Sequence, residues 1–161
     1  MGKRKSKFLS SLSVGNEGER RVIKFFTDSN IPCEKVDQGI AYDLLLMNSI
    51  KLEVKYDIMS AKTGNIAIEF WNSKKNSKSG ITATEAEFWV HIFFDSNGTC
   101  MIYFAPVDKL LKYIEDNKPL RTIFGGGDDN ADLYLYKIET IIHGENSPFE
   151  PIGKILIGRL P

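Results

Sequence analysis

Cysteine, histidine and long apolar runs are all scarce in this chain. Its 161 residues hold two cysteines and two histidines. Cys33 and Cys100 lie far apart without C-x-x-C spacing, and His91 and His143 have no second ligand at metal spacing. Neither a zinc site nor a disulfide framework finds support in that pattern. The cysteines read instead as small buried apolar residues, and His91, inside the apolar run Phe88 to Phe94, as a core histidine. No apolar run approaches a membrane span, and the basic stretch Met1 to Ser13 lacks the apolar centre of a signal peptide. A cytoplasmic protein that avoids membranes is the expectation. The glycine run Gly125-Gly126-Gly127 lacks the Gly-Lys-Ser/Thr ending of a phosphate-cradling loop and reads as a flexible connection.

Excess charge of either sign is also missing, with 21 basic residues against 21 acidic ones. A zero sum argues against a polyanion partner, but the distribution argues for one. Positive charge gathers in Lys3-Arg4-Lys5-Ser6-Lys7 and in Lys74-Lys75-Asn76-Ser77-Lys78, whereas Asp128, Asp129 and Asp132 carry acid elsewhere. Lys3, Arg4, Lys5, Lys74, Lys75 and Lys78 are therefore candidate phosphate contacts; idle solvated clusters are the alternative. With 42% hydrophobic and 26% charged residues, the chain suits one core. The expected organisation is a basic flexible arm over 1–14 followed by a single domain over 15–161.

The most informative positions are Asp43 and the triplet Glu53-Val54-Lys55. Strand alternation puts Leu52, Val54 and Tyr56 on one face and Glu53 and Lys55 on the other. In Tyr42 to Met47, Asp43 interrupts an otherwise apolar segment. A three-residue loop of Met47, Asn48 and Ser49 would set Asp43 across from Glu53, with Cβ atoms about 5 Å apart. Two facing carboxylates repel unless a positive group lies between them. A hard divalent ion, Mg²⁺ or Mn²⁺, suits oxygen donors, and Lys55 could hold or activate a water beside it. A solvated hairpin accounts for an isolated E-x-K triplet; the preceding Asp strand shifts the balance towards a site.

A helix is predicted from Asn16 to Thr27, where Glu19, Val22, Ile23 and Phe26 follow helical spacing on one apolar face. Glu17, Arg20, Arg21 and Lys24 fall largely on the opposite side, so Glu19 is the candidate acid. A capping box, Asn16 at N-cap and Glu19 at N3, is the competing explanation.

This order of helix acid, strand Asp and strand Glu-x-Lys resembles the PD-(D/E)XK nuclease superfamily, over roughly Gly15 to Tyr56. Gly15-Asn16-Glu17-Gly18-Glu19 resembles its helix-start motif, Tyr42-Asp43 stands where the PD pair would, and Leu52-Glu53-Val54-Lys55 resembles the (D/E)XK strand. Tyr42 in place of the proline is a departure from the pattern. The resemblance implies a restriction-endonuclease-like α/β fold, a mixed β-sheet flanked by helices with an αβββαβ core and extra hairpin strands. It implies Mg²⁺ (or Mn²⁺) bound by Asp43, Glu53 and the Val54 carbonyl, with Lys55 positioning the nucleophilic water and Glu19 supporting the metal or a second ion. The implied activity is hydrolysis of DNA phosphodiesters by a metal-activated water, with homing, resolvase-like and phage recombination nucleases all within range. A homodimer or higher homo-oligomer, encoded by a phage or mobile element, would suit cutting of both strands. A catalytically idle nucleic-acid-binding module on the same scaffold is the other reading.

Beyond the triplet, strands are expected at Asn65 to Trp71, Phe88 to Phe94, Thr99 to Phe104, Leu133 to Ile138 and Ile155 to Ile157. Asn97-Gly98 marks a hairpin. A short helix is expected from Thr82 or Thr84, with Glu85 and Glu87 as capping partners, and another from Pro106 to about Asp116.

Overall fold

Nothing between Lys3 and Ser13 stops a helix, since the stretch has neither glycine nor proline. In the computed structural model, which describes residues 2–37, 41–95, 97–125 and 130–155, the first helix, α1, accordingly runs Gly2–Thr27. This corrects the expected start at Asn16: no capping box forms there, and the segment expected as a flexible arm has helical backbone from Gly2. The side chains of Lys3, Arg4 and Lys5 lie outside the described residues, as do residues 126–129 of the glycine-rich stretch. The Glu19, Val22, Ile23, Phe26 face does turn inward, with Val22 and Phe26 buried.

After α1 come β1 (Cys33–Lys35), β2 (Leu44–Leu46), β3 (Ile50–Asp57), α2 (Ser60–Thr63), β4 (Asn65–Asn72), β5 (Ser77–Lys78) and a 3-10 turn at Gly80–Thr82. They are followed by β6 (Phe88–Phe94), β7 (Cys100–Pro106), α3 (Val107–Asp116), β8 (Arg121–Ile123), β9 (Ala131–Lys137), α4 (Ile138–Ile141) and β10 (Glu150–Ile155). Six strands form a mixed sheet in the order β1-β2-β3-β6-β7-β10, and four form an antiparallel sheet in the order β5-β4-β9-β8. Within the larger sheet β3 and β6 are parallel. A mixed sheet flanked by helices is as expected, but β4, which follows α2 in the αβββαβ order, belongs to the smaller sheet, and β6 takes the parallel place beside β3.

The mixed sheet separates two cores. On one side α1 contributes Val22 and Phe26 against Leu52, Val54, Val90, Ile92 and Phe94. On the other, Trp89 and Phe93 pack with Ile66, Ile68 and Tyr136 of the smaller sheet and Leu110 and Tyr113 of α3. Because β6 is covered on both faces, its sequence is a continuous apolar run. Glu53, Lys55 and Asp57 alternate with Val54 and so lie on the side of Trp89 and the smaller sheet.

The helix expected from Thr82 or Thr84 is replaced by the 3-10 turn. Long-range hydrogen bonds outcompete the local pattern there: the amides of Glu85 and Glu87 donate to the carbonyls of Ala41 and Lys51. Asn97-Gly98 sits in a longer loop than a two-residue hairpin, since Phe94 pairs with Cys100. The Asp95 carboxylate organises that loop by accepting from the amides of Asn97 and Thr99. The terminal strand begins at Glu150, and the part of the expected Ile155 to Ile157 strand beyond Ile155 lies outside the described residues. No described helix is long and apolar enough to cross a membrane.

Candidate active site

The β2–β3 hairpin has the register expected from its turn. Leu46 pairs with Ile50 and Leu44 with Leu52, leaving Met47, Asn48 and Ser49 as the loop. Met47 and Asn48 both adopt left-handed backbone, φ 52° and 57°. Continuing the register by one residue sets Asp43 against Glu53, although the regular ladder of β2 begins at Leu44. The Asp43 amide still donates to the Leu52 carbonyl at 2.9 Å. Beyond it the backbone pairing ends, and the Asp43 carboxylate takes over by accepting the Val54 amide on Oδ2 at 2.8 Å. The side chain thus replaces a missing strand partner.

Both oxygens of Glu53 are engaged. Oε1 lies 2.9 Å from the Lys55 ammonium, and Oε2 lies 3.1 Å from the Thr84 hydroxyl, which is also 3.1 Å from the Ala41 carbonyl. Glu53 is largely covered and Lys55 about one-third exposed. The Lys55 ammonium sits over the ring of Trp89, 5.4 Å from its centroid. Trp89 is the parallel-ladder partner of Glu53.

The electrostatics follow from this crowding. Burial first, then the facing Glu53 and more weakly Glu19, push the Asp43 carboxyl up to about 6, against the opposing pull of the Val54 amide and Lys55. For Lys55, burial works to lower the pKa, but Glu53, Asp43, the hydrogen bond to Glu53 and Glu69 together raise it above the ordinary lysine value. Lys55 is therefore an ammonium at neutral pH.

Glu19 comes close enough to influence Asp43, but its own contact is elsewhere: its Oε2 lies 2.5 Å from the ammonium of Lys35, which also donates to Asn16 at 2.8 Å. Glu17 pairs with Arg20 and Arg21; Arg20 is exposed, whereas Arg21, expected on the side away from the core, is largely covered and lies over the Tyr56 ring, 5.4 Å from its centroid. Among the described residues no three His, Cys, Asp or Glu side chains converge into a three-ligand cluster. The oxygen donors on offer are the two facing carboxylates and the main chain of Val54 between Glu53 and Lys55.

Lys74 and Lys75 occupy the turn between β4 and β5, and Lys78 lies on β5; all three are exposed. Asp132 fixes this turn by accepting the Ser73 hydroxyl on both carboxylate oxygens at 2.6 Å. The structure thus puts these lysines at one end of the smaller sheet rather than among the acids. Cys33 and Cys100 are buried and free, as expected. His91 is fully buried but only half satisfied: Nδ1 accepts from the Trp89 indole at 3.2 Å, and Nε2 has no hydrogen-bond partner.

Thr84, Trp89 and Lys35 join the site without having been singled out in the sequence. Trp89 arrives through the β3–β6 pairing, for which the doubly buried run Phe88 to Phe94 is the one sequence signal. Thr84, in the segment before β6 and tied to Ala41, and Lys35 carry none.

No protein-family model matches this sequence, and no curated protein does. Among solved structures, the fold is similar to that of a bacterial homing endonuclease, I-Ssp6803I, with a TM-score of 0.50 and 22% sequence identity over 65% of this chain and 74% of that one.

Proposed function

We propose that this protein is a metal-dependent DNA endonuclease of the PD-(D/E)XK type. The observation that carries this reading is the cross-strand placement of Asp43 against Glu53, with the Lys55 ammonium 2.9 Å from Glu53 on the same surface. Two covered carboxylates facing one another form a site that a cation relieves, and their hard oxygens suit Mg²⁺ or Mn²⁺. The raised Asp43 carboxyl is consistent with that fit, because burial and then the facing Glu53 disfavour its ionised form, and a bound cation would offset both. The fold it shares with a bacterial homing endonuclease supports DNA as the substrate.

Asp43, Glu53 and the Val54 carbonyl would hold the ion. When bound, such an ion supplies Lewis acidity towards a water and a phosphoryl oxygen and offsets charge on the leaving 3′ oxygen. Glu53 is held ready by Thr84 on one oxygen and Lys55 on the other. Lys55, being an ammonium, donates to the attacking water or to a phosphoryl oxygen and cannot act as a base at neutral pH. Its part is to orient and to stabilise negative charge. Glu19 supports the same field from α1, and Lys74, Lys75, Lys78, Lys3, Arg4 and Lys5 contact phosphates. A homodimer would bring one site to each strand of a duplex.

Supercoiled plasmid incubated with Mg²⁺ provides the test, comparing wild type with Glu53→Ala and Lys55→Ala. Each substitution should slow cleavage by about 100-fold or more. Unchanged cleavage in both variants removes the assignment. Supercoiled, linear, single-stranded and four-way-junction DNA run side by side then sort the subclass.

A further inference from the structure

Behind Lys55 lies a buried polar chain that the reaction outlined above does not use. On the β3–β6 ladder Glu53 pairs with Trp89, Lys55 with His91 and Asp57 with Phe93, so the rows Glu53-Lys55-Asp57 and Trp89-His91-Phe93 lie side by side. Trp89 and His91 are both 0% exposed. The Trp89 indole N–H donates to Nδ1 of His91 at 3.2 Å. That bond makes Nδ1 the acceptor and assigns the proton of the neutral ring to Nε2. Nε2 in turn points to Asp57, 3.8 Å from Oδ2. Asp57 is itself fixed, accepting the amides of Ser60 at 3.1 Å and Ala67 at 3.0 Å.

A ring beneath an ammonium attracts it through the ring quadrupole only while the ring presents its face. Packing alone would leave the indole N–H unpaired in a dry core, a costly arrangement that His91 prevents. Burying a histidine with one nitrogen unsatisfied is itself unfavourable. The sequence could have filled position 91 with an apolar residue, as at Val90 and Ile92, and did not.

We infer that Trp89 and His91 are positioning residues for Lys55: His91 fixes the plane of the indole, and the indole face holds the ammonium against Glu53. This inference rests on the nuclease reading for its kinetic consequences, whereas its geometry can be read without DNA.

The chain has two tryptophans, so Trp71→Phe leaves Trp89 as a lone emitter. In that background, Lys55→Met and His91→Phe should each change the intensity or wavelength of Trp89 emission in the folded protein. In plasmid cleavage, His91→Phe should lower kcat about tenfold with KM for DNA unchanged. His91→Gln, which keeps an acceptor near the indole, should recover most of that loss. Trp89→Phe keeps a ring but removes the N–H, so adding His91→Phe to it should cost no more than Trp89→Phe alone. Additive losses in the double variant, or a His91→Phe enzyme that cuts at the wild-type rate, overturn the inference. If His91→Phe does not fold, the His91→Gln rate and the Lys55→Met emission decide in its place. Absence of cleavage by wild type with any divalent cation defeats the nuclease reading alone; unaltered Trp89 emission in Lys55→Met defeats the positioning itself.

Discussion

The amide of Val54 donates a 2.8 Å hydrogen bond to the carboxylate of Asp43, so the residue between Glu53 and Lys55 is tied directly to the acid on the neighbouring strand. The bond locks the hairpin register at the site. A slip of one residue would turn Glu53 and Lys55 to the opposite face and bury them under α1, in place of Leu52 and Val54. One main-chain donor therefore serves the fold and the placement of the acids together. It also opposes, without cancelling, the burial and the Glu53 charge that act on Asp43.

Metal binding should separate the roles of Glu53 and Lys55. If Glu53 is a ligand, Glu53→Gln should weaken Mn²⁺ binding at least about tenfold, since a charged oxygen donor becomes neutral. Lys55→Met removes a positive charge 2.9 Å from that same carboxylate, so it should bind Mn²⁺ as tightly as wild type or more so, while losing cleavage. Calorimetric titration of both variants measures this. A Lys55→Met protein that fails to bind Mn²⁺ would place Lys55 in the fold rather than in the chemistry.

Asp43 gives the metal-free protein a pH dependence of definite sign. Its carboxyl is raised from 3.8 to about 6 in the folded state, so the folded protein holds this proton more tightly than the unfolded chain does. The associated stability is complete below about pH 4 and is lost as pH rises through about 6. At neutral pH the ionised carboxylate, buried and facing Glu53, costs on the order of 3 kcal/mol. Asp43→Asn keeps an oxygen for the Val54 amide and removes the charge. In EDTA its Tm should exceed that of wild type at neutral pH, and the gain should largely vanish near pH 4. An equal gain at both pH values would point to packing instead.

Local chemistry made the hairpin and its acids legible in the sequence. The Met47 to Ser49 turn, the alternation through Tyr56 and the spacing of Asp43 from Glu53 are all set within fifteen residues, about the reach of one hairpin. The run Phe88 to Phe94 coincides with β6 because a strand buried on both faces admits little else. Of the smaller sheet, the strands β4 and β9 were legible but their pairing across the chain was not, and β5 and β8 are too short to carry a pattern. Thr84-Glu85-Ala86-Glu87 misled for the same reason: its composition favours a helix, but its amides are taken by Ala41 and Lys51. Glu19 was correctly placed on the inner face of α1, whereas its pairing with Lys35 depends on where β1 docks.

Two glycines in one helix should respond oppositely to alanine. A Cβ on Gly18 would lie 2.7 Å from the Cβ of Tyr56, where α1 crosses β3, and neither backbone can yield cheaply. Gly18→Ala should destabilise by about 1–3 kcal/mol and shift Tyr56 beside the site. At Gly15 a Cβ meets nothing within 4 Å, so Gly15→Ala should stabilise by about 0.5–1 kcal/mol through helix propensity alone. Urea midpoints of the two variants give the comparison. A stabilised Gly18→Ala protein would mean that α1 does not approach β3 as closely as this.

Ser60 and Asp57 join the two sheets at a point removed from the acid pair. The Ser60 hydroxyl, 1% exposed as a residue, donates to the Asp57 carbonyl at 2.6 Å and accepts the Phe94 amide at 2.8 Å. The Asp57 carboxylate meanwhile accepts the Ala67 amide of β4. One turn thereby ties β3 to β6 in the larger sheet and to β4 in the smaller. Ser60→Ala strands the Phe94 amide in a dry core and should cost about 1–3 kcal/mol. Ser60→Cys preserves the size of the side chain but offers only a weak acceptor, so it should recover little of that loss. Because neither substitution touches Asp43, Glu53 or Lys55, cleavage measured well below the unfolding temperature should be unchanged in both. A Ser60→Ala variant with the wild-type urea midpoint would show that the Phe94 amide finds another partner, and that the two sheets are held together by their shared apolar core alone.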